Sequence, residues 1–251
     1  MKNSAIAQTF DVAKELGEDA GKVLAVKGVT LSLYPGEFTL LMGPSGSGKT
    51  TLVSMLGCIL SPTSGSIVIA GQETTGMKPD KLARLRREQI GFIFQSYNLF
   101  PTLTALENVA LALDIRGVPW SEAKRRAAAA LQSVSLEHRY NSYPKRMSGG
   151  EQQRVAVARA IVGRPALVLA DEPTAALDSE NGHAVMELLA EITHKEQRAV
   201  LAVTHDPRTL RYADRILKIE DGRIVDDDRS SNSSATKTRQ HGTKKQKRLS
   251  A

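Results

Sequence analysis

Three short apolar runs punctuate the chain, at residues 38–42 (FTLLM), 166–170 (ALVLA) and 199–203 (AVLAV). Continuous apolar runs of this length, bounded by polar or turn residues, are the pattern of strands buried on both faces of a parallel sheet. Each run gives way at once to Gly, to Asp-Glu or to Thr-His. The polar chemistry therefore falls at the carboxyl ends of the strands, the edge where open α/β sheets bind ligands. Between the runs the period is helical. Val185, Leu188, Leu189 and Ile192 mark one apolar face, with Asp178 or Ser179 as its cap. Ala127, Ala130, Leu131 and Val134 mark another, with Lys124, Arg125 and Arg126 expected to face water. Residues 215–220 and 223–225 flank Asp221-Gly222, which predicts a hairpin. From 96 to about 164 the strand pattern stops, so a mostly helical subdomain inserted into an α/β core is expected.

The segment after the first apolar run is GPSGSGKT, residues 43–50, and it opens a helical pattern of Thr51, Leu52, Met55 and Leu56. Strand, glycine-rich loop and helix in that order make a phosphate-binding loop. Gly43, Pro44, Ser45, Gly46, Ser47 and Gly48 let the backbone curl so that successive N–H groups point at phosphate oxygens, and Thr51 lies in the helix start that adds partial positive charge. Lys49 is placed to neutralise the β- and γ-phosphates, and the Thr50 hydroxyl to ligate Mg²⁺. The second run ends in Asp171-Glu172. A carboxylate at the end of a buried strand needs a partner, which Mg²⁺ supplies for Asp171. Glu172 beside it is placed to take a proton from an attacking water.

SGGEQQR, residues 148–154, precedes a helix with Val155, Ala158 and Ile161 or Val162 on one face. A hydroxyl, Ser148, and two glycines, Gly149 and Gly150, followed by Glu151 at a helix start form a second anion cradle. One nucleotide has no use for two cradles in a monomer, which suggests that the second serves another chain.

With these motifs in this order, residues 22–226 resemble the ABC (ATP-binding cassette) ATPases. The match runs through the Walker A loop at 43–50, Gln95 of the Q-loop, the signature at 148–152, Walker B with Asp171 and Glu172, the D-loop AALD ending at Asp178, and the switch histidine His205 in VTHD. The resemblance implies an α/β P-loop NTPase (RecA-like) fold with a mostly parallel sheet, an N-terminal antiparallel β part and an inserted α-helical subdomain. It implies ATP and Mg²⁺ as cofactors, with Thr50, Gln95 and Asp171 around the metal and Glu172, His205, Gln95 and Lys49 acting on the phosphate. It also implies a homodimer in which Ser148 and Gly150 of one subunit close over the ATP held by Lys49 of the other, with Asp178 linking the two sites. Its transmembrane permease partner would place the chain at the cytoplasmic face of a membrane. GPSGSGKTTL, Gly57-Cys58, SGGEQQRVAVARA and ADEPTAALDS resemble the lipoprotein-release and macrolide-export branch, with a heterocyst-type glycolipid exporter ATPase among the likenesses. The sequence departs from the family in Met147 for the usual Leu, in Glu151 for the common Gln, and in the aromatic that stacks on adenine. That aromatic would fall near Leu16, and Phe10 is the nearest one upstream.

Charge changes the picture little. The chain of 251 residues has a formal charge of +7, yet Arg229, Lys237, Arg239, Lys244, Lys245, Lys247 and Arg248 account for it and the rest balances. A tail rich in Ser, Thr and Lys, with too few apolar residues to offset the entropy of ordering, is expected to be disordered, and either to stay solvated without a partner or to attract anionic lipid weakly. The domains expected are a 1–21 extension, a 22–228 ATPase domain and a 229–251 basic tail. One cysteine, Cys58, excludes an internal disulfide. No apolar run reaches the length of a membrane span, and the first residues lack the apolar core of a secretion signal. The alternative, a soluble ABC ATPase working on nucleic acid or ribosomes, rests on the basic tail alone. The 53 positions from Gln95 to Ser148 leave no room for the long coiled coil of repair members, and the translation members carry two cassettes. A nucleic-acid partner is not expected, and intact Lys49, Asp171, Glu172 and His205 argue against an inactive regulatory cassette. The resemblance makes Tyr97, Leu99 and Phe100, in the segment 96–109, the expected contacts to the permease, with anchoring of the inserted subdomain by Leu99 and Phe100 as the alternative.

Overall fold

The computed structural model describes residues 4–229. Two sheets and a group of helices share the chain. Strands β1 (Ala7–Leu16), β2 (Val23–Leu33), β4 (Ser64–Ile69) and β5 (Gln72–Glu73) form an antiparallel sheet in the order β2-β1-β4-β5. Six strands make the second sheet, in the order β10-β9-β3-β8-β7-β6. They are β3 (Phe38–Met42), β6 (Ile90–Ile93), β7 (Leu167–Asp171), β8 (Ala199–Val203), β9 (Arg215–Glu220) and β10 (Arg223–Arg229). β3, β6, β7, β8 and β9 pair in parallel, and only β10 runs back along β9.

The continuous apolar character of β3, β7 and β8 follows from burial on both faces. Leu41, Leu167, Leu169, Leu201 and Val203 face helix α1 (Lys49–Leu56), which lies between the two sheets and contributes Leu52, Val53, Met55 and Leu56 to the same cluster. Phe38, Leu40, Val168, Ala170, Val200 and Ala202 face α5 (Gly149–Ile161) and α6 (Ser179–Glu196). Each fully buried Leu or Phe there contributes about 1.5–3 kcal/mol. Between β6 and β7 the described residues form only helices and loops. After α2 (Pro79–Gln89), which leads into β6, come α3 (Ala105–Asp114) and α4 (Trp120–Ser133), then α5. α3, α4 and α5 gather a third cluster that includes Val109, Leu113, Ala127, Leu131, Val155 and Val162. α5 thus shows Val157 and Ile161 to the sheet and Val155, Ala158 and Val162 to the other helices, tying the two parts together.

The domain boundary drawn at residue 22 needs correction, because β1 lies between β2 and β4 and belongs to the fold. Its apolar signal is faint: Ala7 and Val12 are fully buried, while Phe10, Asp11 and Glu15 are exposed. The boundary at 229 shifts as well, since Arg229 ends β10, with its guanidinium 3.7 Å from Glu37 and over the ring of Tyr34. The remainder of the basic tail lies outside the described residues. The hairpin appears with Asp221 and Gly222 at φ 46° and 81°, the left-handed values a tight two-residue turn requires. Arg126 does not simply face water, since it donates to the Val162 carbonyl at the end of α5. Among the described residues no helix is long and apolar enough to cross a membrane.

Candidate functional site

β3 delivers the chain into the loop 43–50, and Gly48 caps α1 in the left-handed region at φ 99°. A Cβ on Gly48 would stand 2.3 Å from the Ala25 carbonyl oxygen, and one on Gly43 would stand 2.1 Å from that of Ile219. The loop is therefore pressed against β2 on one side and β9 on the other, which only glycine allows. Lys49 is buried, and its Nζ donates to the carbonyls of Gly43 (2.8 Å) and Pro44 (2.7 Å) at the mouth of the loop. Ser47 Oγ is buried without a hydrogen-bond partner. An orphaned hydroxyl inside the cradle fits an anion that would accept from it. Ser45 and Gly46 are exposed at the rim, and Thr51 is half-buried in the first turn of α1.

Asp171 ends β7, and its Oδ1 accepts from the Thr50 hydroxyl at 3.3 Å. Burial pushes the Asp171 carboxyl above its ordinary value. The Thr50 hydrogen bond opposes this, the Glu172 charge adds to it and Lys49 opposes it again. A hard-oxygen pair of hydroxyl and half-buried carboxylate suits Mg²⁺, whose charge would offset the burial of Asp171. Gln95 is exposed and lies two residues beyond Ile93, which pairs with Ala170 in the parallel register. It therefore emerges at the same sheet edge as Asp171.

Glu172 takes the left-handed value φ 48°, rare for a residue with a side chain. Its N–H donates to the Val203 carbonyl, and its Oε1 lies 2.9 Å from His205 Nδ1. β7 and β8 end together here, with Asp171 paired to Val203, so Glu172 and His205 meet over the same edge. The His205 ring is largely exposed while Glu172 is largely covered. The covered carboxylate and the open imidazole thus stand in contact at the edge of the sheet beside Asp171.

Ser148 caps α5 in a reciprocal capping box: its hydroxyl accepts from the Glu151 N–H, and Glu151 accepts from the Ser148 N–H. Glu151 also takes the Arg139 Nε at 2.7 Å. Burial alone would raise its carboxyl, but the Ser148 N–H and Arg139 together hold it below the usual range. A Cβ on Gly150 would meet Asn181 at 2.2 Å, and one on Gly149 would meet the Tyr97 hydroxyl at 2.9 Å. The cradle at Ser148 is thus built onto the head of α6, where Asp178 accepts from the Asn181 N–H. Two groups result within the chain: Lys49, Thr50, Asp171, Glu172 and His205 around the phosphate loop, and Ser148, Gly149, Gly150, Glu151 and Asp178 around the starts of α5 and α6.

The segment after Gln95 is held from beneath. Arg159 donates to the carbonyls of Tyr97 and Asn98, both at positive φ. Asn108 accepts from the Phe100 N–H and donates to the carbonyls of Phe100, Leu103 and Thr104. Leu99 packs into the helical cluster, whereas Phe100 is 50% exposed. A cleft of about 400 Å³ opens here, lined by Tyr97, Asn98, Leu99, Pro101, Lys145 and Gln152 among others. A larger one, about 1060 Å³, lies at the opposite ends of β7 and β8 and contains none of the motif residues. Ser47 belongs to the loop named from the sequence, whereas the sequence assigns no role to Arg159 or Asn108. The capping box of Thr104 and Glu107 at the start of α3 is a structural finding, and the long-range contacts of Arg159 leave no local pattern.

Leu16, where the resemblance leads one to expect the adenine-stacking ring, pairs with Val23 across β1 and β2, and the two are 38% and 63% exposed. Ala25, two residues along β2 from Val23, touches the phosphate loop at Gly48. Phe10 pairs with Ser66 farther along β1 and does not join them. An aliphatic pair therefore stands where a ring is expected.

The family model for ABC transporters matches residues 26–175. The chain is 42% identical over 227 residues to the macrolide export ATP-binding/permease protein MacB of Brucella melitensis, a match covering 90% of this chain and 35% of the relative. It thus spans about a third of that relative's length. It is 40% identical over 228 residues to the ABC transporter ATP-binding protein MJ0796 of Methanocaldococcus jannaschii, covering 89% and 94% of the two chains. A dimeric post-hydrolysis structure of the MJ0796 cassette bound to ADP and Pi superposes with a TM-score of 0.82 at 39% identity, covering 89% of this chain and 98% of that one.

Proposed function

The chain belongs to the ABC transporter family, whose cassettes bind and hydrolyse ATP, and from that premise we propose that it energises a membrane permease by closing two copies over two ATP molecules. The observation that carries this is the pair of separate cradles on one chain. The phosphate loop is joined to Asp171 through Thr50, while the Ser148 cradle is built on α6. In this reading Ser148 and Gly150 complete the site that Lys49 begins in the partner copy.

Lys49 and the backbone N–H groups of the loop 43–50, all but that of Pro44, which has none, bind the phosphates. Thr50, Asp171 and Gln95 would hold Mg²⁺, which supplies charge to the β- and γ-oxygens when bound. Glu172 takes the proton of the attacking water, and His205, in contact with its Oε1, holds that water against the γ-phosphate. Asp178 sets the head of α6 where the copies meet. The relatives named ATP-binding/permease proteins carry about two thirds of their length beyond the matched part, which supports a permease partner and a place at the cytoplasmic face of a membrane. The attraction to anionic lipid expected of the basic tail rests on residues outside the described ones.

Tyr97 and Phe100, with the cleft beside them, are the docking face in this reading. Leu99 anchors the helical part instead, as its packing supports. Phe100→Ala is expected to keep basal ATPase and to lose its stimulation by the co-expressed permease. Full stimulation would remove this face from the coupling.

A further inference from the structure

Beyond the motif residues, the Arg208 side chain bridges direct neighbours of the two groups described above, Asp206 beside His205 and Ser179 beside Asp178. Arg208 follows His205 by three positions, in the turn Pro207–Tyr212. Its Nε lies 2.9 and 3.0 Å from the two carboxylate oxygens of Asp206, and its Nη2 donates to Asp206 Oδ2 at 2.8 Å. Its Nη1 donates to Ser179 Oγ at 2.6 Å. Asp206 itself caps the turn by accepting from the Arg208 N–H, and the Thr209 hydroxyl donates to its carbonyl. The hydrogen bond from Arg208 holds the Asp206 carboxyl below its usual range, so the pair stays charged at neutral pH. Ser179 is the first residue of α6, next to Asp178.

We infer that Arg208 is a positioning residue that fixes the His205 loop to the head of α6, and so couples the Ser148 cradle of each copy to its own hydrolysis site. The path is continuous. Gly150 lies against Asn181, Asn181 donates to Asp178, and Ser179 adjoins Asp178. Arg208 bridges Ser179 to Asp206, and His205, next to Asp206, touches Glu172. A guanidinium suits this place because its planar fork meets a carboxylate and a hydroxyl at once, which an ammonium on a flexible stem does with far less definition. If the partner's ATP seats on Ser148 and Gly150, the strap carries that displacement to His205. The inference rests on the proposed role of His205.

The test uses the full chain with ATP and Mg²⁺. Arg208→Ala is expected to lower kcat about tenfold with KM for ATP within about twofold, the signature of an interaction needed for the chemical step. Its Hill coefficient should fall toward one, while the thermal midpoint stays put because the side chain is exposed. Ser179→Ala should show the same pattern. The double variant should be no slower than the slower single one, because both remove one connection. Arg208→Lys should fail to restore cooperativity. Multiplicative loss in the double variant would overturn the strap, and so would unchanged kcat and Hill coefficient in both singles while His205→Ala abolishes turnover. Unimpaired turnover in His205→Ala would instead defeat the role given to His205 itself, and the inference with it.

Discussion

Gly48→Ala isolates how much the phosphate loop depends on a close approach of backbone to backbone. At φ 99° the substituted residue would sit in the left-handed region, which costs about 1–2 kcal/mol for an L-residue. Its Cβ would stand 2.3 Å from the Ala25 oxygen, where real contacts stay above 3.0 Å, so something must move by about 0.7 Å. The obstacle is a backbone carbonyl in β2, and β2 is held by its ladder to β1 at Lys14↔Val26 and Glu15↔Leu24. Overpacking against such a neighbour adds about 1–3 kcal/mol. The sum, about 2–5 kcal/mol, lowers the melting midpoint by roughly 5–20 °C in a domain of this size. The alternative relaxation moves the loop away from β2 and spoils the array of N–H groups. Gly46→Ala is the control: it also has positive φ, 79°, but nothing lies within 4 Å of its Cβ. Only the backbone strain of about 1–2 kcal/mol remains there. Melting curves of the nucleotide-free protein and titration with a fluorescent ATP analogue separate the two routes. Gly48→Ala should be worse than Gly46→Ala in stability, in affinity or in both. Equal behaviour of the two variants would refute the steric reasoning.

Two other outcomes are expected. Glu172→Gln should bind ATP, accumulate as an ATP-bound dimer and lose about 10²–10⁴ in turnover, because it removes the proton acceptor and leaves the phosphate contacts intact; single-turnover hydrolysis near the normal rate would take that role from Glu172. Leu16→Tyr should tighten ATP binding about fivefold and raise the preference for ATP over GTP, since a ring at this position adds roughly 1 kcal/mol of base stacking to the aliphatic contact; no change in equilibrium titrations would place the adenine away from the Leu16–Val23 pair.

Much of this architecture was legible along the chain. β3, β7 and β8 are buried on both faces, so their apolar runs stand out, and glycine-rich loops are local in sequence. β1 was not legible, because a strand of an antiparallel sheet with one wet face and several bulges buries few side chains and spreads them among Gln, Asp, Lys and Glu. β10 was read short for the same reason: its second half is Asp226-Asp227-Asp228, a run that looks like a solvated turn. The structure shows it paired to β9, with Asp227 on the buried Arg215 and Asp226 on Lys218. Local pattern names the site residues one by one; the family resemblance brings Thr50 to Asp171 and Glu172 to His205, but nothing in the sequence brings Arg208 to Ser179. Contacts such as Thr50 with Asp171, Glu172 with His205 and Arg208 with Ser179 span from about thirty to over a hundred positions, and no local period records them. The segment after Gln95 shows the same limit. Its apolar residues look alike in sequence, yet Leu99 is anchored inward and Phe100 is exposed.

The site built from two chains is tested most directly by mixing two inactive variants. Lys49→Ala removes the phosphate contact made within the chain, and Ser148→Ala removes the one reached from the other copy. In a heterodimer of the two, one composite site carries both lesions and the other carries neither. Tagged subunits isolated as a heterodimer are assayed for ATP hydrolysis against each homodimer. Turnover that reappears in the heterodimer alone is the predicted result. A heterodimer shown to form yet as inactive as its parents would contradict the sharing of Ser148 across the interface.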